Sequence, residues 1–420
     1  MEVPPVLGSP HPVLNRLEPA RPRRVAAHPW AARLAVATVC VGAFLGQLTA
    51  SIVSAALPGL AGDLHTGPGA ASWISLAYLV TLVALVAPLG AWSDAVGRKA
   101  LYVAGFVVFT VASLGCALAP DLPVLCALRV VQAAGAALLQ ANSVALIAGS
   151  VPRERLGRAL GMQATAQAVG LATGPAIGGL LLTLGSWRLL FATTVPLGAI
   201  GIVTGLLLLP RSRDLATSGR VPLRRSPLLR DALIVRGLVL GLAGFVVLFG
   251  VMVAVPFWLT GSGRASAAHA SLLLTGLPVG VALAAPWSGR LAQRAAARTA
   301  DAGLLLSALA VAALALRPPS LLLVGVLVLL GLGLGLFNPA NTTAVMSRVS
   351  ASQAGSASGL LNLVRGLGTA LGTGLAASAA GLGGSAGRTF VPVVGALCVT
   401  AVAAATLGRA AVARGGRMGG

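Results

Sequence analysis

The feature that limits this chain most is a succession of long apolar runs, each near the ~20 residues that a helix needs to cross the hydrocarbon of a bilayer. They fall at Leu34–Leu57, Trp73–Gly90, Ala100–Ala119, Leu122–Gly149, Ala159–Leu184 and Leu189–Leu209. Six more follow at Gly237–Leu259, Ala270–Ser288, Ala302–Leu316, Leu321–Met346, Ser356–Ala380 and Phe390–Leu407. The runs are continuous and show no period-two alternation, which points to helices rather than barrel strands. Twelve spans are expected, the ninth the shortest. The first, at 24 residues, is too long for the core of a cleaved signal peptide, which holds roughly 7–15.

Composition agrees with an all-α integral membrane protein. Charged residues are 9% of the 420, where a soluble chain carries about 25%. A soluble enzyme is excluded. The net charge of +21 does not indicate nucleic acid, because the basic residues stand singly or in small groups between apolar runs. Lys99 is the only lysine, and no G-x-x-x-x-G precedes it, so no loop cradles a nucleotide's phosphates for an ATP-driven pump. Cys40, Cys116, Cys126 and Cys398 are scattered without ligand spacing, and His11, His28, His65 and His269 lie far apart. No metal or other cofactor is expected, nor are the paired carboxylates or nucleophile–base set of a membrane enzyme.

Arginine and lysine set the orientation. With the amino terminus inside, the inner segments hold 24 of the 30 basic residues and the outer segments four: Arg188, Arg264, Arg317 and Arg388. Arg129 and Arg365 lie within spans. Both termini are therefore expected in the cytoplasm of a multi-pass cell-membrane protein. The arginine-rich inner segment 210–236 divides the chain into a basic tail (1–33), a six-helix bundle (34–209), the linker, a second six-helix bundle (237–408) and a short tail (409–420). A weak repeat links the halves. Gly90-Ala-Trp-Ser-Asp94-Ala-Val-Gly97-Arg98-Lys99 follows span 2, and Gly289-Arg-Leu-Ala-Gln293-Arg-Ala-Ala296-Ala-Arg298 follows span 8, without the acid and the second glycine. Such a repeat in a six-plus-six chain marks a duplicated transporter.

These residues resemble a major facilitator superfamily transporter, most of all its drug:proton antiporter branch of multidrug and antibiotic efflux proteins. Gly90, Asp94, Gly97, Arg98 and Lys99 match the family's loop between spans 2 and 3, with Trp92 for the usual leucine. Arg129-Val-Val-Gln132-Ala133-Ala-Gly135 is similar to the span 4 motif R-x-x-Q-G-x-G. Gly170, Gly174, Pro175, Gly178 and Gly179 match the span 5 antiporter motif. Trp187-Arg188-x-x-Phe191 with Pro196 resembles the opening of span 6, with Thr194 for an asparagine. Gly331-x-Gly333-x-Gly335 and Asn362-x-x-Arg365-x-x-Gly368 are similar to that branch in spans 10 and 11. Close relatives often have fourteen helices; twelve fit here. The resemblance implies two six-helix bundles, export of a small molecule by alternating access, and a loop after span 2 that latches the halves in one state.

One departure bears on mechanism. Relatives end span 1 with a pattern like Q-L-D-x-T-I-V-N-V-A-L-P, whereas this chain reads Gln47-Leu-Thr49-Ala-Ser51-Ile-Val-Ser54-Ala-Ala-Leu-Pro58, so Thr49 stands for the membrane aspartate. All nine acids (Glu2, Glu18, Asp63, Asp94, Asp121, Glu154, Asp214, Asp231 and Asp301) fall in tails, loops or span edges. Arginine stays protonated, so Arg129 and Arg365 each need an anion, carbonyl dipoles or water. The expectation is a net-positive cavity for neutral or anionic substrates, formed by Arg129, Gln132, Gln140, Gln163, Gln167, Asn341, Asn362 and Arg365 with Gln47 and Thr49. The glycines of span 5 share one face and would let two backbones approach. The expected partners are a small-molecule substrate and membrane lipid, with protons as the family's coupling ion. Proton coupling stays open, since no mid-membrane carboxylate carries it; facilitated or charge-coupled efflux is the rival. The alternative function is a non-transporting membrane sensor or scaffold derived from a transporter.

Overall fold

The computed structural model describes residues 21–22, 28–211, 231–349 and 354–381. Their regular elements are all helices. Span 1 is Ala31–Asp63, span 2 Pro68–Val96, span 3 Arg98–Leu118, span 4 Leu122–Ala148 and span 5 Arg153–Thr183. Span 6 is interrupted, as Leu189–Ala192 and Thr194–Leu208, and span 7 is Ala232–Gly261. Span 8 begins as Ala267–Leu273 and resumes at Gly276; span 10 is Ser320–Met346 and span 11 Ala354–Gly381. The expected span 12, Phe390–Leu407, the carboxy-terminal tail and residues 212–230 of the linker lie outside the described residues.

Most helices outrun their apolar runs, because backbone hydrogen bonding continues past the hydrocarbon: 33 residues in span 1 rise ~50 Å, against a core of ~30 Å. The short ninth run is corrected on the same ground. One helical stretch, Gly276–Ala315, carries spans 8 and 9 with a kink at Ala295 (φ −156°, ψ 64°), and Arg294–Ala315 supplies 22 residues of bilayer-crossing character. Residues 296–301, with three alanines, extend the helix below its apolar run because alanine is the best helix former. Acids serve as helix caps. Asp121 accepts from Val124 N–H at 2.9 Å to start span 4, and Asp231 accepts from Leu233 N–H at 2.8 Å to start span 7. Gly97 joins spans 2 and 3 at φ 118°, ψ 126°, a conformation that a side chain would strain.

Within lipid, helices associate through close packing rather than the hydrophobic effect, and glycine supplies it. A Cβ added at Gly170 would stand 2.4 Å from Phe44 O, and one at Gly174 2.8 Å from Ile52 N, so span 5 lies directly on the backbone of span 1. In the second half, Gly368 abuts Leu242 O at 2.6 Å and Gly372 abuts Gly250 N at 3.0 Å, placing span 11 on span 7 in the same way. Gly105 and Gly135 bring span 3 onto span 4 as Gly303 and Gly333 bring span 9 onto span 10. Each of these four glycines in the first half has its counterpart 198 residues later, and so do the groups they touch: Phe44 and Leu242, Ile52 and Gly250, Phe109 and Ser307. The duplication is therefore written in the packing as well as in the loops.

The halves meet on the arginine-poor side of the bilayer. Ser271 Oγ, fully buried, donates to Ala55 O at 2.8 Å across the boundary between them. A Cβ at Gly179 would lie 2.9 Å from Leu272 N and 3.0 Å from Ala268 O. Nearer mid-membrane, Gly366 of span 11 faces Val83 of span 2.

Candidate functional site

Arg129 is wholly buried inside the first half. Its Nε donates to Ile74 O at 2.8 Å and its Nη1 to Gln132 Oε1 at 2.6 Å, and Gln132 Nε2 passes the chain on to Ser113 Oγ at 2.7 Å. The guanidinium carbon stands 4.2 Å from the Tyr78 ring centre and 5.8 Å from that of Phe191. Tyr78 in turn donates to Gly46 O of span 1 at 3.4 Å. Spans 1 to 4 are thus tied through one cation satisfied by a carbonyl dipole, an amide and two π faces. Its Nη2 is buried without a partner.

The expected cavity residues divide into two groups. Gln163 is buried and donates to Ser143 Oγ at 2.8 Å; Asn341 is buried and donates to Gly237 O at 2.8 Å. With Arg129 and Gln132, these point at neighbours in their own half rather than at open space. Thr49 is buried with its hydroxyl oxygen unpartnered. Gln47, Gln140, Gln167, Asn362 and Arg365 keep part of their surface open. Only one of the two membrane arginines therefore adds positive charge to an accessible surface. Arg365 Nη2 donates to Thr342 Oγ1 at 2.8 Å, and its guanidinium lies 5.8 Å from the Phe245 ring centre.

The residues expected in a loop after span 2 are mostly helical: Gly90 and Asp94 lie within the span 2 helix, Arg98 and Lys99 open span 3, and Gly97 alone stands between the two. Gly90 faces Ala141 of span 4, and Lys99 is buried with its Nζ donating to Leu206 O of span 6 at 2.9 Å. That bond lies inside the first half, where a cation suits the carbonyl end of a helix. On the same side of the second half, Arg236 pairs with Asp301, joining spans 7 and 9, and Arg348 Nε bonds Asp231 Oδ2 at 3.2 Å, joining spans 7 and 10. Slight burial opposes the charge on Asp231, but the Leu233 N–H, Arg348 and the Ile234 N–H outweigh it and hold the carboxyl below its usual 3.8. Of the span 5 motif, Gly170, Gly174 and Gly178 face span 1, whereas Gly179 faces span 8 of the other half. Pro175 sits within the helix between them.

Sequence reading passed over Ser113, Asn142, Ser271, Thr342, Thr369 and Thr373. Asn142 donates to Ser93 Oγ at 2.9 Å, tying span 4 to span 2. Five of these are hydroxyls, which apolar runs hide; Ser113, Thr342 and Thr369 also bond back to their own helix. Thr369 and Thr373 did leave a signal: with Asn362 and Arg365 they recur at i, i+3, i+7 and i+11, one stripe of a helix. An apolar cleft of about 810 Å³ lies between spans 1, 5 and 6, lined by Cys40, Phe44, Met162 and Thr165 among others, and holds none of the expected site residues.

A family model described as Major Facilitator Superfamily matches residues 39–373 and 265–410. The chain is 29% identical to the uncharacterized transporter YebQ of Escherichia coli, over 89% of this chain and 94% of that one. It is 27% identical to the riboflavin transporter RibZ of Clostridioides difficile (80% and 85%), and 26% identical to the multidrug resistance protein Stp of Mycobacterium tuberculosis (79% and 73%). Among solved structures, a mutant of the nucleoside transporter NupG superimposes with a TM-score of 0.72 at 14% identity, over 90% of this chain and 99% of that one.

Proposed function

The chain belongs to the Major Facilitator Superfamily, and from that premise we propose that it exports a neutral or anionic small molecule from the cytoplasm by alternating access. The arrangement of the halves carries this reading. Ser271, Ala55 and Gly179 close the arginine-poor side, while the part-open Gln140, Asn362 and Arg365 lie in the arginine-rich halves of their spans and the part-open Gln47 and Gln167 at mid-span. If the arginine-rich side is cytoplasmic, this is a carrier loading from within the cell. Export over import follows from the span 5 glycine–proline row, which resembles that of antiporters, and from the likeness to Stp. Gly90, Asp94, Gly97, Arg98 and Lys99 serve as the inner latch in this reading, and both termini are cytoplasmic. The site residues carry out no chemistry; the protein is a carrier and not an enzyme.

Two drives are compatible with export. Protons would have to use an acid at a span edge, and Asp121, one such acid, already caps span 4. A negative interior drives an anion outward with ~2.3 kcal/mol per charge per 100 mV, and this second drive needs no carboxylate. Inverted vesicles containing the purified protein test the reading: uptake of acidic or neutral compounds should survive collapse of the pH gradient, and accumulation of the acidic ones should fall with the voltage. Efflux of lipophilic cations equal to that of acids would remove the charge preference. A protein that inserts and folds but moves nothing would favour the sensor or scaffold.

A further inference from the structure

We propose that Arg365 is the point at which this protein grips the anionic group of its cargo, a carboxylate in the simplest case, and that Arg129 takes no part in that grip. The proposal rests on the transport reading above and narrows it to one residue and one chemical class.

Position comes first. Leu363, Leu367, Leu371 and Leu375 are exposed at four-residue spacing and mark the lipid face of span 11. Arg365 is two residues from both Leu363 and Leu367, ~200° round the helix from each, so it points into the bundle. The stripe Asn362, Arg365, Thr369 and Thr373 runs along that inward face. The Thr369 hydroxyl donates to Arg365 O at 2.9 Å, and that of Thr373 is buried without a partner.

Chemistry comes second. A guanidinium offers five N–H donors and cannot deprotonate. Arg365 makes one side-chain hydrogen bond, to Thr342, and its remaining nitrogens are not among the sealed, unpartnered atoms. Among the described residues no carboxylate pairs with it: Asp301 is taken by Arg236 and Asp231 by Arg348. Phe245 supplies an aromatic face beside the charge. A part-open guanidinium with spare donors, an aromatic wall and, among the described residues, no counter-ion suits a carboxylate on a planar organic anion, which it can hold bidentately. Arg129 is the contrasting case. It too lacks a carboxylate, but it is sealed, and a solute could reach it only by parting spans 2, 3 and 4.

The repeat adds an independent argument. At the 198-residue separation fixed by the glycines, Arg365 stands where the first half has Gln167, and Phe245 where it has Gln47. Gln47 and Gln167 are themselves part-open. The two halves thus present equivalent positions, amides from one and a cation with an aromatic ring from the other.

The test uses the full chain in lipid nanodiscs and the arginine reagent phenylglyoxal, with adducts located by peptide mass spectrometry. Arg365 should be modified and Arg129 spared. Millimolar benzoate or naphthoate should slow the Arg365 reaction several-fold, while benzamide and benzylamine leave it unchanged. Arg365→Lys should retain discrimination of acids over amides in vesicle uptake, and Arg365→Gln should lose it; if Arg365→Gln fails to fold, the protection data alone decide. An unreactive Arg365, or protection by benzamide as strong as by benzoate, overturns the proposal. Flux of neutral compounds persisting in that case would leave the transport reading standing, whereas wild-type vesicles without any flux would sink the transport reading by itself.

Discussion

The glycine row of span 5 offers a graded test of whether its packing is what the sequence keeps it for. Alanine at Gly174 would place a Cβ 1.8 Å from Ser51 Oγ and 2.8 Å from Ile52 N. The Ser51 hydroxyl can rotate away, giving up its 3.3 Å bond to Gly170 O, but Ser51 Cβ at 2.7 Å and Ile52 N are fixed by the backbone and the helices must part by about 0.7 Å to reach ordinary contact. A gap of that size forfeits about a quarter of the dispersion attraction along the contact, and dispersion is what holds helices together in lipid. The overpacking costs roughly 1–3 kcal/mol, offset by ~1 kcal/mol of helix propensity gained on replacing glycine. At Gly170 the obstacle is Phe44 O at 2.4 Å, so the parting is larger and the net loss greater. At Gly178 the nearest atom is Ile52 Cγ1 at 3.2 Å, a side chain that can give, and the propensity gain should leave alanine neutral or slightly stabilising. Thermal unfolding in detergent, followed by fluorescence-detected size exclusion, should rank the loss as Gly170→Ala, then Gly174→Ala, then Gly178→Ala. Adding Ser51→Ala should recover part of the Gly174→Ala loss and none of the Gly170→Ala loss. Three equal losses, or Gly178→Ala as the worst, would show that these glycines act through something other than contact with span 1.

Three further outcomes follow from single contacts. Arg129→Met should orphan Gln132 Oε1 and cost about 1–3 kcal/mol, and Arg129→Met with Gln132→Leu should be the more stable of the two; equal melting temperatures would contradict a structural network. Asp231→Ala removes a cap and an exposed ion pair at a cost of roughly 1 kcal/mol near neutral pH. Because the folded carboxyl titrates below its usual value, that stabilisation is present above about 3.8 and fades as pH falls through the lower folded value, so wild type and variant should converge in acid melts. Ser271→Ala should loosen the arginine-poor side and raise cysteine labelling of the buried position Ala270→Cys from outside, with Ser271→Thr restoring protection; unchanged labelling would show that the bond to Ala55 does not hold the halves.

What could be read in advance separates by physical cause. Span number and order within the described residues came from hydropathy, since water-free surroundings force each apolar run to satisfy its backbone as a helix. Span 9 is longer than its apolar run because hydropathy marks the membrane and not the helix: residues 296–301 continue the helix although Arg298, Thr299 and Asp301 interrupt the apolar run. The 198-residue glycine repeat stood in the sequence, yet it acquires meaning only once Gly105 is seen against Gly135 and Gly303 against Gly333. Burial was beyond reach. Arg129 and Arg365 look alike as charges within spans, and only the placement of Tyr78, Ile74 and Gln132 around one of them separates a sealed cation from a part-open one.

Repetition of the packing without repetition of the charges makes a last experiment possible. Arg129 and Gln132 correspond to Leu327 and Leu330 at the same separation, and Arg365 to Gln167, so each half keeps the backbone contacts while holding its cation at a position the other fills differently. If the cargo site lies on the pseudo-symmetry axis, moving the open cation between halves should preserve its chemistry. Arg365→Gln should abolish the preference for benzoate over benzamide, and combining it with Gln167→Arg should bring the preference back, measured as uptake of labelled acid against labelled amide in the same vesicles. The exchange leaves net charge, helix content and the glycine contacts of Gly170 and Gly368 unchanged, so a well-folded double variant that fails to recover acid preference would place recognition off the axis, in side chains of the second half alone.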